Sequence, residues 1–555
     1  MGKPIRSITI VGGGTAGWLA AAFLNRYCTS DDPGKSIEIT LIESPDIPIV
    51  GVGEASLPGM VVLLHQLGIS EAEFFNAADA TFKVAAHFVN WNHDKNGKPI
   101  EFLNILNAPP IIEGRALADY FVTFDPARKD PSVGISYVRG FSPVVEIVRN
   151  NLSPRRPGES DFSAEIGYTY HFDATKVAEF LRKLATGRGV KHITDNVNSI
   201  ALDERGFVRS LGLGEYGEHA IDFIIDCTGF RGSILQQALG EPFESYADYL
   251  LNDRAAVVQI PHKDPAAIAP VTKATGFSAG WNFNIPLTTR IGTGYVFSSH
   301  FISDDEATEE LLNWYGDQAK GCEPRIIAIR TGRVRNAWSK NCVALGLAGG
   351  FIEPLEATAI FMTDLAVRWL RRFLPTSDFE PELANAYNRQ VARLYDEVRD
   401  LVQLHYHLNN RHDTEYWKAA RDGTRLSDRL QENLRIWRNR TPEDLDLGST
   451  FLFGGPVYAL LLIAKGFYRD TDLVNAPSLN HAAYDHYRRA VRDGRSNQLR
   501  DLISQSEFLR TMGKAAVVRP SGQRLGPLVG FAAGNTKIKL PVYAPKSRGN
   551  DPSKS

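Results

Sequence analysis

The segment SITIVGGGTAGWLAAAFL, residues 7–24, sets Gly12, Gly14 and Gly17 between an apolar run and an alanine-rich helix. GxGxxG in that context reads as a dinucleotide-binding turn: Gly12 permits the tight bend, Gly14 lets the backbone approach a pyrophosphate, and Gly17 lets helix and strand lie close. The helix start adds unpaired N–H groups and the positive end of its dipole. Glu43 closes the next apolar run, SIEITLIES, where a carboxylate accepts hydrogen bonds from an adenosine ribose. That acid favours an unphosphorylated ribose and leaves FAD and NAD equally open. Cys28, Cys227, Cys322 and Cys342 are scattered without a CxxC pair, so neither a zinc site nor a disulfide framework is expected.

The elements that must position these groups follow from pattern. Residues 5–44 read as strand, glycine turn, helix and strand, a βαβ unit. Glycine-ended apolar runs recur at HAIDFIIDCTGFRG and NCVALGLAGGF, which predicts one nucleotide-binding layer assembled from distant segments. TKATGFSAGWNFNIPLTTRIGTGYVFSS has the alternation of an antiparallel sheet, expected to cover the cofactor site. From about residue 356 to 440, apolar residues at three- and four-residue spacing predict helices. The domain expectation is a core over 1–370, a helical substrate-site layer over 371–510 and an irregular tail over 511–555.

Composition narrows the function classes. In a chain of 555 residues, 62 Lys plus Arg against 64 Asp plus Glu leave a net charge of −2, which gives no electrostatic case for nucleic acid or an anionic membrane. No secretory leader pattern opens the chain. VYALLLIAKGF, its most apolar stretch, falls short of the roughly 18 residues of a membrane span. A cytoplasmic enzyme acting on a small molecule is the expectation.

GTAGW at the turn, GVGEASLP at 51–58, TFKVAAHFVNW at 81–91, YHFDATKVAEFLR at 170–182, IDCTGFRG at 225–232, GWNFNIP at 280–286 and NCVALGLAGGFIEPLEATAI at 341–360 decide the cofactor. Together, and in this order, they closely resemble the flavin-dependent tryptophan halogenase family over roughly the first 370 residues. The resemblance implies an α/β fold: a Rossmann-like FAD-binding core of the flavin monooxygenase type, an additional β-sheet and a mainly helical C-terminal layer. It implies that reduced FAD (FADH2) and O2 convert chloride or bromide into hypohalous acid, which crosses a passage to a lysine beside the aromatic substrate. The single GxGxxG agrees with flavin reduced elsewhere, by a separate NAD(P)H-dependent reductase. A homodimer is also expected from the resemblance.

Matched residue by residue, the resemblance makes Lys83 the lysine and Glu356 its partner carboxylate. A desolvated amine can form a haloamine or, when protonated, polarise hypohalous acid by a hydrogen bond. A carboxylate opposite the ring stabilises the cationic intermediate and takes its proton. The same matching gives Thr15, Ala16, Glu54, Ala55, Val197, Leu347 and Ile360 to the cofactor, beside the turn glycines and Glu43. It gives Thr358 and Ala359, through their backbone N–H groups, to the halide. Trp281, Phe283, Ile285 and Pro286 become a wall between flavin and substrate, with Phe283 where the family's WxWxIP has its second tryptophan.

Two departures bear on specificity. Glu356-Ala357-Thr358 replaces the usual Glu-Ser-Thr, and the lost hydroxyl favours the more easily dehydrated bromide. EDLDLGSTFLFGGPVYALLLIAKGF carries none of the paired aromatics that clamp a free amino acid, which points to indole or a substituted indole rather than tryptophan. Asn104 and Leu106 stand where the ring is flanked, and Phe451, Phe453, Tyr458 and Leu460 are read either as pocket lining or as core. The competing functions are an aromatic hydroxylase on the same scaffold and a flavin-binding protein without catalysis.

Overall fold

The N-terminal strand, turn and helix fold as Ser7–Val11 followed by Thr15–Cys28 in a computed structural model, which describes residues 2–512 apart from 31, 33, 35, 48–50 and 52. Ser7–Val11 lies parallel to Glu38–Glu43 on one side and to Phe223–Asp226 on the other. Lys191–Thr194 extends the sheet beyond Glu38–Glu43, and Cys342–Ala344 and Trp338–Ser339 complete it, giving six strands from segments more than 300 residues apart. The chain is thus an α/β protein with a Rossmann-like parallel layer. Lys191–Thr194 escaped the periodicity reading because a four-residue edge strand of KHIT has too little apolar content to stand out.

A seven-stranded sheet stands beside this layer in the order Arg325–Ala328, Arg254–Ile260, Ile291–Phe297, Gly280–Pro286, Val271–Phe277, Ala85–His93, Pro99–Ile105. Its pairs are antiparallel except Val271–Phe277 with Ala85–His93. Helix Asp304–Tyr315 covers one face, started by a Ser303–Glu306 capping box and packing Ala307 and Leu311 against Val258, Tyr295 and Phe297.

A third, small sheet positions the chemistry. Thr169–Asp173 runs antiparallel between Gly53–Ala55 and Thr81–Lys83, with Lys83 opposite Thr169 and Gly53 opposite Asp173. Alternation puts Phe82, Tyr170 and Phe172 on one face, and Lys83, Thr81, Thr169 and His171 on the other. The first face is pinned by Glu71, fully buried, which accepts hydrogen bonds from Tyr168 Oη at 2.7 Å and Tyr170 Oη at 2.6 Å and pairs with buried Arg155. Glu71→Ala leaves that buried guanidinium with only the more exposed Asp161, 3.8 Å away, as counter-charge, and a loss of about 3 kcal/mol is expected, read as a lowered urea midpoint at unchanged slope.

Within the expected helical layer lie Pro381–His407, Asp428–Ile436, Gly455–Ala464 and His481–Leu499. The 27-residue helix Pro381–His407 buries Val391, Leu394, Val398, Leu401, Val402 and His405 along one stripe, so its C-terminal turn reaches the site. Residues 511 and 512 end the helix Gln505–Met512, and the rest of the tail expected to be irregular lies outside the described residues. Among the described residues no helix is long and apolar enough to cross a membrane, and no His, Cys, Asp and Glu cluster could hold a metal ion.

Candidate active site

The glycine turn opens a cavity of ≈ 700 Å³, within the range of about 300–1,000 Å³ of cofactor sites. Gly12 sits at φ 119°, in the left-handed region, and a Cβ there would meet the Cys227 carbonyl oxygen at 2.2 Å. Gly14 caps the helix Thr15–Cys28 and has open space where its Cβ would be, the room a pyrophosphate needs. Gly17 does not line the cavity; its Cβ would meet the Gly12 carbonyl oxygen at 1.9 Å, so it sets helix against strand. Gly13, which pattern reading passed over, leaves space for Glu43, whose Oε2 lies 1.5 Å from where its Cβ would be.

Glu43 lines this cavity already oriented: Oε1 is 2.7 Å from His192 Nε2, and Trp18 Nε1 donates to Oε2 at 3.4 Å. Thr15, Ala16, Ala55, Val197, Leu347 and Ile360 line it too. So does Glu54, whose carboxyl is pushed up to about 7 by burial and by the charge of Asp173. Half-protonated near neutrality, Glu54 can donate as well as accept a hydrogen bond. Cavity size, cleared backbone and ribose-side carboxylate together fit a dinucleotide such as FAD.

Thr358 and Ala359 stand in the same wall at the start of helix Ala359–Arg372. The turn Pro354–Glu356 precedes them, and Ala357 follows at φ 56°, ψ 41°. The Ala357 N–H is spent on the Pro354 carbonyl at 3.1 Å, and the left-handed residue brings the backbone N–H groups of Thr358 and Ala359 to the helix start, where an anion can be held. Holding a non-glycine residue there costs on the order of 1–3 kcal/mol.

Lys83 is 3% exposed, and its Nζ donates to the Ser56 carbonyl at 3.0 Å. Burial lowers its pKa to about 8, against the upward pull of the Glu356 charge. Lys83 lies four residues from the Asp173 end of the central strand, roughly 13 Å at 3.3 Å per residue. At that end Gly53, paired with Asp173, lines the cofactor cavity.

Glu356 is 4% exposed and held from two sides: Asn104 Nδ2 donates to both oxygens at 3.0 Å, and His405 Nε2 lies 2.7 Å from Oε1. Asn104, expected to flank the ring, thus makes contact with the carboxylate. His405 was not foreseen, although a histidine on the apolar stripe of a helix was the visible signal. Its ring stacks on Phe88 at 4.5 Å, and burial holds its pKa below the usual imidazole range.

In Gly280–Pro286, Phe283 and Ile285 face the cofactor cavity. Trp281, on the same strand face, stands outside that lining, its ring 6.1 Å from Phe283 and 6.4 Å from Trp91. Its Nε1 donates to Glu353 Oε2 at 2.8 Å, an oxygen that also accepts from Asn252 Nδ2 and Tyr406 Oη. Glu353 and Glu356, three residues apart, thereby hold the consecutive residues Tyr406 and His405. Pro286 offers its carbonyl to Thr81 Oγ1 at 2.6 Å.

The remaining substrate candidates are placed apart from this cluster. Leu106 lies just past Pro99–Ile105, with its carbonyl against Gly167. Phe451 packs on Trp369 at 4.8 Å, ten residues along the helix from Ala359, and Phe453 is buried with its N–H on Glu397. Tyr458 and Leu460 are buried in the helix Gly455–Ala464.

The family model described as tryptophan halogenase matches residues 7–478. Tryptophan 6-halogenase SttH of Streptomyces toxytricini is 34% identical, covering 91% of this chain and 98% of its own sequence. Its crystal structure superposes with a TM-score of 0.84 over 91% of this chain and 99% of that one. Tryptophan 7-halogenase RebH of Lentzea aerocolonigenes is also 34% identical, over 92% and 99% of the two chains. The tryptophan halogenase structure from Shewanella frigidimarina is 30% identical, with a TM-score of 0.85 over 92% of this chain and 98% of that one.

Proposed function

We propose that this chain, which belongs to the tryptophan halogenase family and is a flavin-dependent halogenase, places halogen on an indole-like ring through Lys83 and Glu356. The observation that carries this reading is a buried lysine within charge reach of a doubly held carboxylate, one short strand from a dinucleotide cavity. Bound as FADH2, the cofactor would supply two of the four electrons that reduce O2, halide giving the other two as hypohalous acid and water form. The backbone N–H groups of Thr358 and Ala359 hold the halide, so the binding does not require the missing hydroxyl. Phe283 and Ile285 keep the aromatic substrate out of the cofactor cavity while a small oxidant passes.

Lys83 then acts as a nucleophile. Its neutral amine attacks the halogen, N–X forms as X–O breaks, and the amine proton leaves with hydroxide as water. At pH 7 a pKa near 8 leaves about a tenth of the amine neutral, against about one part in 3,000 for an ordinary lysine. The ring takes the halogen from nitrogen, and Glu356, kept in place by Asn104 and His405, receives the ring proton, which passes to the amine nitrogen.

This route carries a pH signature. With reduced flavin and halide saturating, ring halogenation rises with pH through about 8 and then levels, as the neutral amine becomes the main form. A rate that falls across the same range would assign the transfer to the protonated, hydrogen-bonding lysine instead.

Indole without a zwitterion is the proposed substrate class, because the stretch around Phe451 and Phe453 lacks paired aromatics and the carboxylate facing it, Glu397 of helix Pro381–His407, is spent on the N–H groups of residues 451–453. Relatives named as 6- and 7-halogenases are equally similar at 34%, so likeness does not choose the carbon. The test is incubation with FAD, a flavin reductase, NADH, bromide or chloride and a panel of indoles, followed by product masses. Halide-dependent halogenated indoles are expected. Hydroxylated products would establish the monooxygenase alternative, and unmodified indoles with every halide would establish a non-catalytic binder.

A further inference from the structure

A second nitrogen base lies beside Lys83 on the same face of the small sheet. His171 is fully buried, with Nδ1 3.0 Å from Thr81 Oγ1 and Nε2 2.8 Å from Thr272 Oγ1. The Thr81 hydroxyl gives its hydrogen to the Pro286 carbonyl at 2.6 Å, so toward His171 it can only accept, and Nδ1 carries the ring hydrogen. Thr272 therefore donates to Nε2. The ring is a neutral imidazole whose one lone pair is covered, and burial beside the Lys83 charge keeps it from protonating. Thr272 is itself part of the cofactor cavity wall, so its hydroxyl stands between that cavity and the imidazole.

An uncovered imidazole lone pair is a nucleophile toward electrophilic halogen, as an amine is. We propose that Thr272 determines which nitrogen receives the halogen: its hydroxyl covers His171 Nε2, so hypohalous acid leaving the cavity passes the imidazole and reacts at Lys83. This rests on the hypohalous-acid reading given above. Lys83 is arranged in the opposite sense, because its Nζ meets an acceptor, the Ser56 carbonyl, which leaves the lone pair of the neutral amine free. Without the cover, Nε2 attacks the halogen, N–X forms as X–O breaks, and the departing hydroxide takes the Nδ1 hydrogen as water. The oxidising equivalent is then held on the passage wall instead of the lysine.

The test uses the full chain with FAD, a flavin reductase, NADH, bromide and indole. Thr272→Val keeps the shape and removes the hydroxyl, Thr272→Ala removes it with less bulk, and Thr272→Ser keeps it. Product per protein is followed until turnover stops, and peptides are then analysed by mass. The valine and alanine variants should stop after roughly tenfold fewer turnovers than the parent, the scale of one net hydrogen bond, with bromine or its oxidation product on the peptide holding His171. The serine variant should last as long as the parent, and omitting bromide should leave His171 unmodified in all. Valine and alanine variants as durable as the parent, or stopped with His171 intact, would overturn the proposal. A parent that, given bromide but no indole, brominates no added β-diketone trap would overturn the hypohalous-acid reading, and with it this one.

Discussion

Lys83→Ala is expected to lower ring halogenation by at least about 10²–10⁴-fold, the contribution of a positioned nucleophilic or proton-transferring group. Reduced flavin should still be consumed, and hypohalous acid should still appear in a β-diketone trap. The two results separate because the amine lies roughly 13 Å along the central strand from the cofactor end of the small sheet. Removing its side chain leaves the glycine turn, Glu43, Thr358 and Ala359 in place. Equal product yields from variant and parent would refute the lysine's role. Loss of oxidant in the trap would show that Lys83 serves the cofactor cavity instead.

Glu356→Gln should slow halogenation by about 10²-fold, again with oxidant still formed, because an amide cannot take the ring proton or balance its positive charge. The amide is close to isosteric, and its one oxygen can still accept from Asn104 and meet His405 as Oε1 does, so burial and fold are preserved. A deuterated ring carbon should react more slowly than the protiated one in the variant, as proton removal becomes limiting. Parent-like turnover without that isotope effect would remove Glu356 from the proton-transfer step.

Features written locally were the legible ones. The glycine turn, its flanking strand and helix, and Glu43 lie within 40 residues, so the Rossmann-like layer could be read from spacing, and the glycine-ended runs near 225 and 345 were visible as its distant strands. The strand Lys191–Thr194 was not, because a short polar edge strand owes its existence to its partner Glu38–Glu43 rather than to its own pattern. Lys83 occupies a three-residue strand whose alternation is too brief to show a buried face, and only resemblance singled it out. The partners of Glu356 lie 252 and 49 residues away, at Asn104 and His405, and no local pattern joins them. His171 was hidden in the same way: its two hydroxyl partners come from separate sheets.

Competition for the oxidant tests the confined passage most directly. A water-soluble thioether added in excess during turnover should leave the yield of halogenated indole from the parent nearly unchanged, while in Lys83→Ala it should collect the oxidant that the ring no longer receives. If the thioether suppressed product from the parent in proportion to its concentration, the oxidant would be travelling through bulk water, and transfer along a buried route to Lys83 would be contradicted.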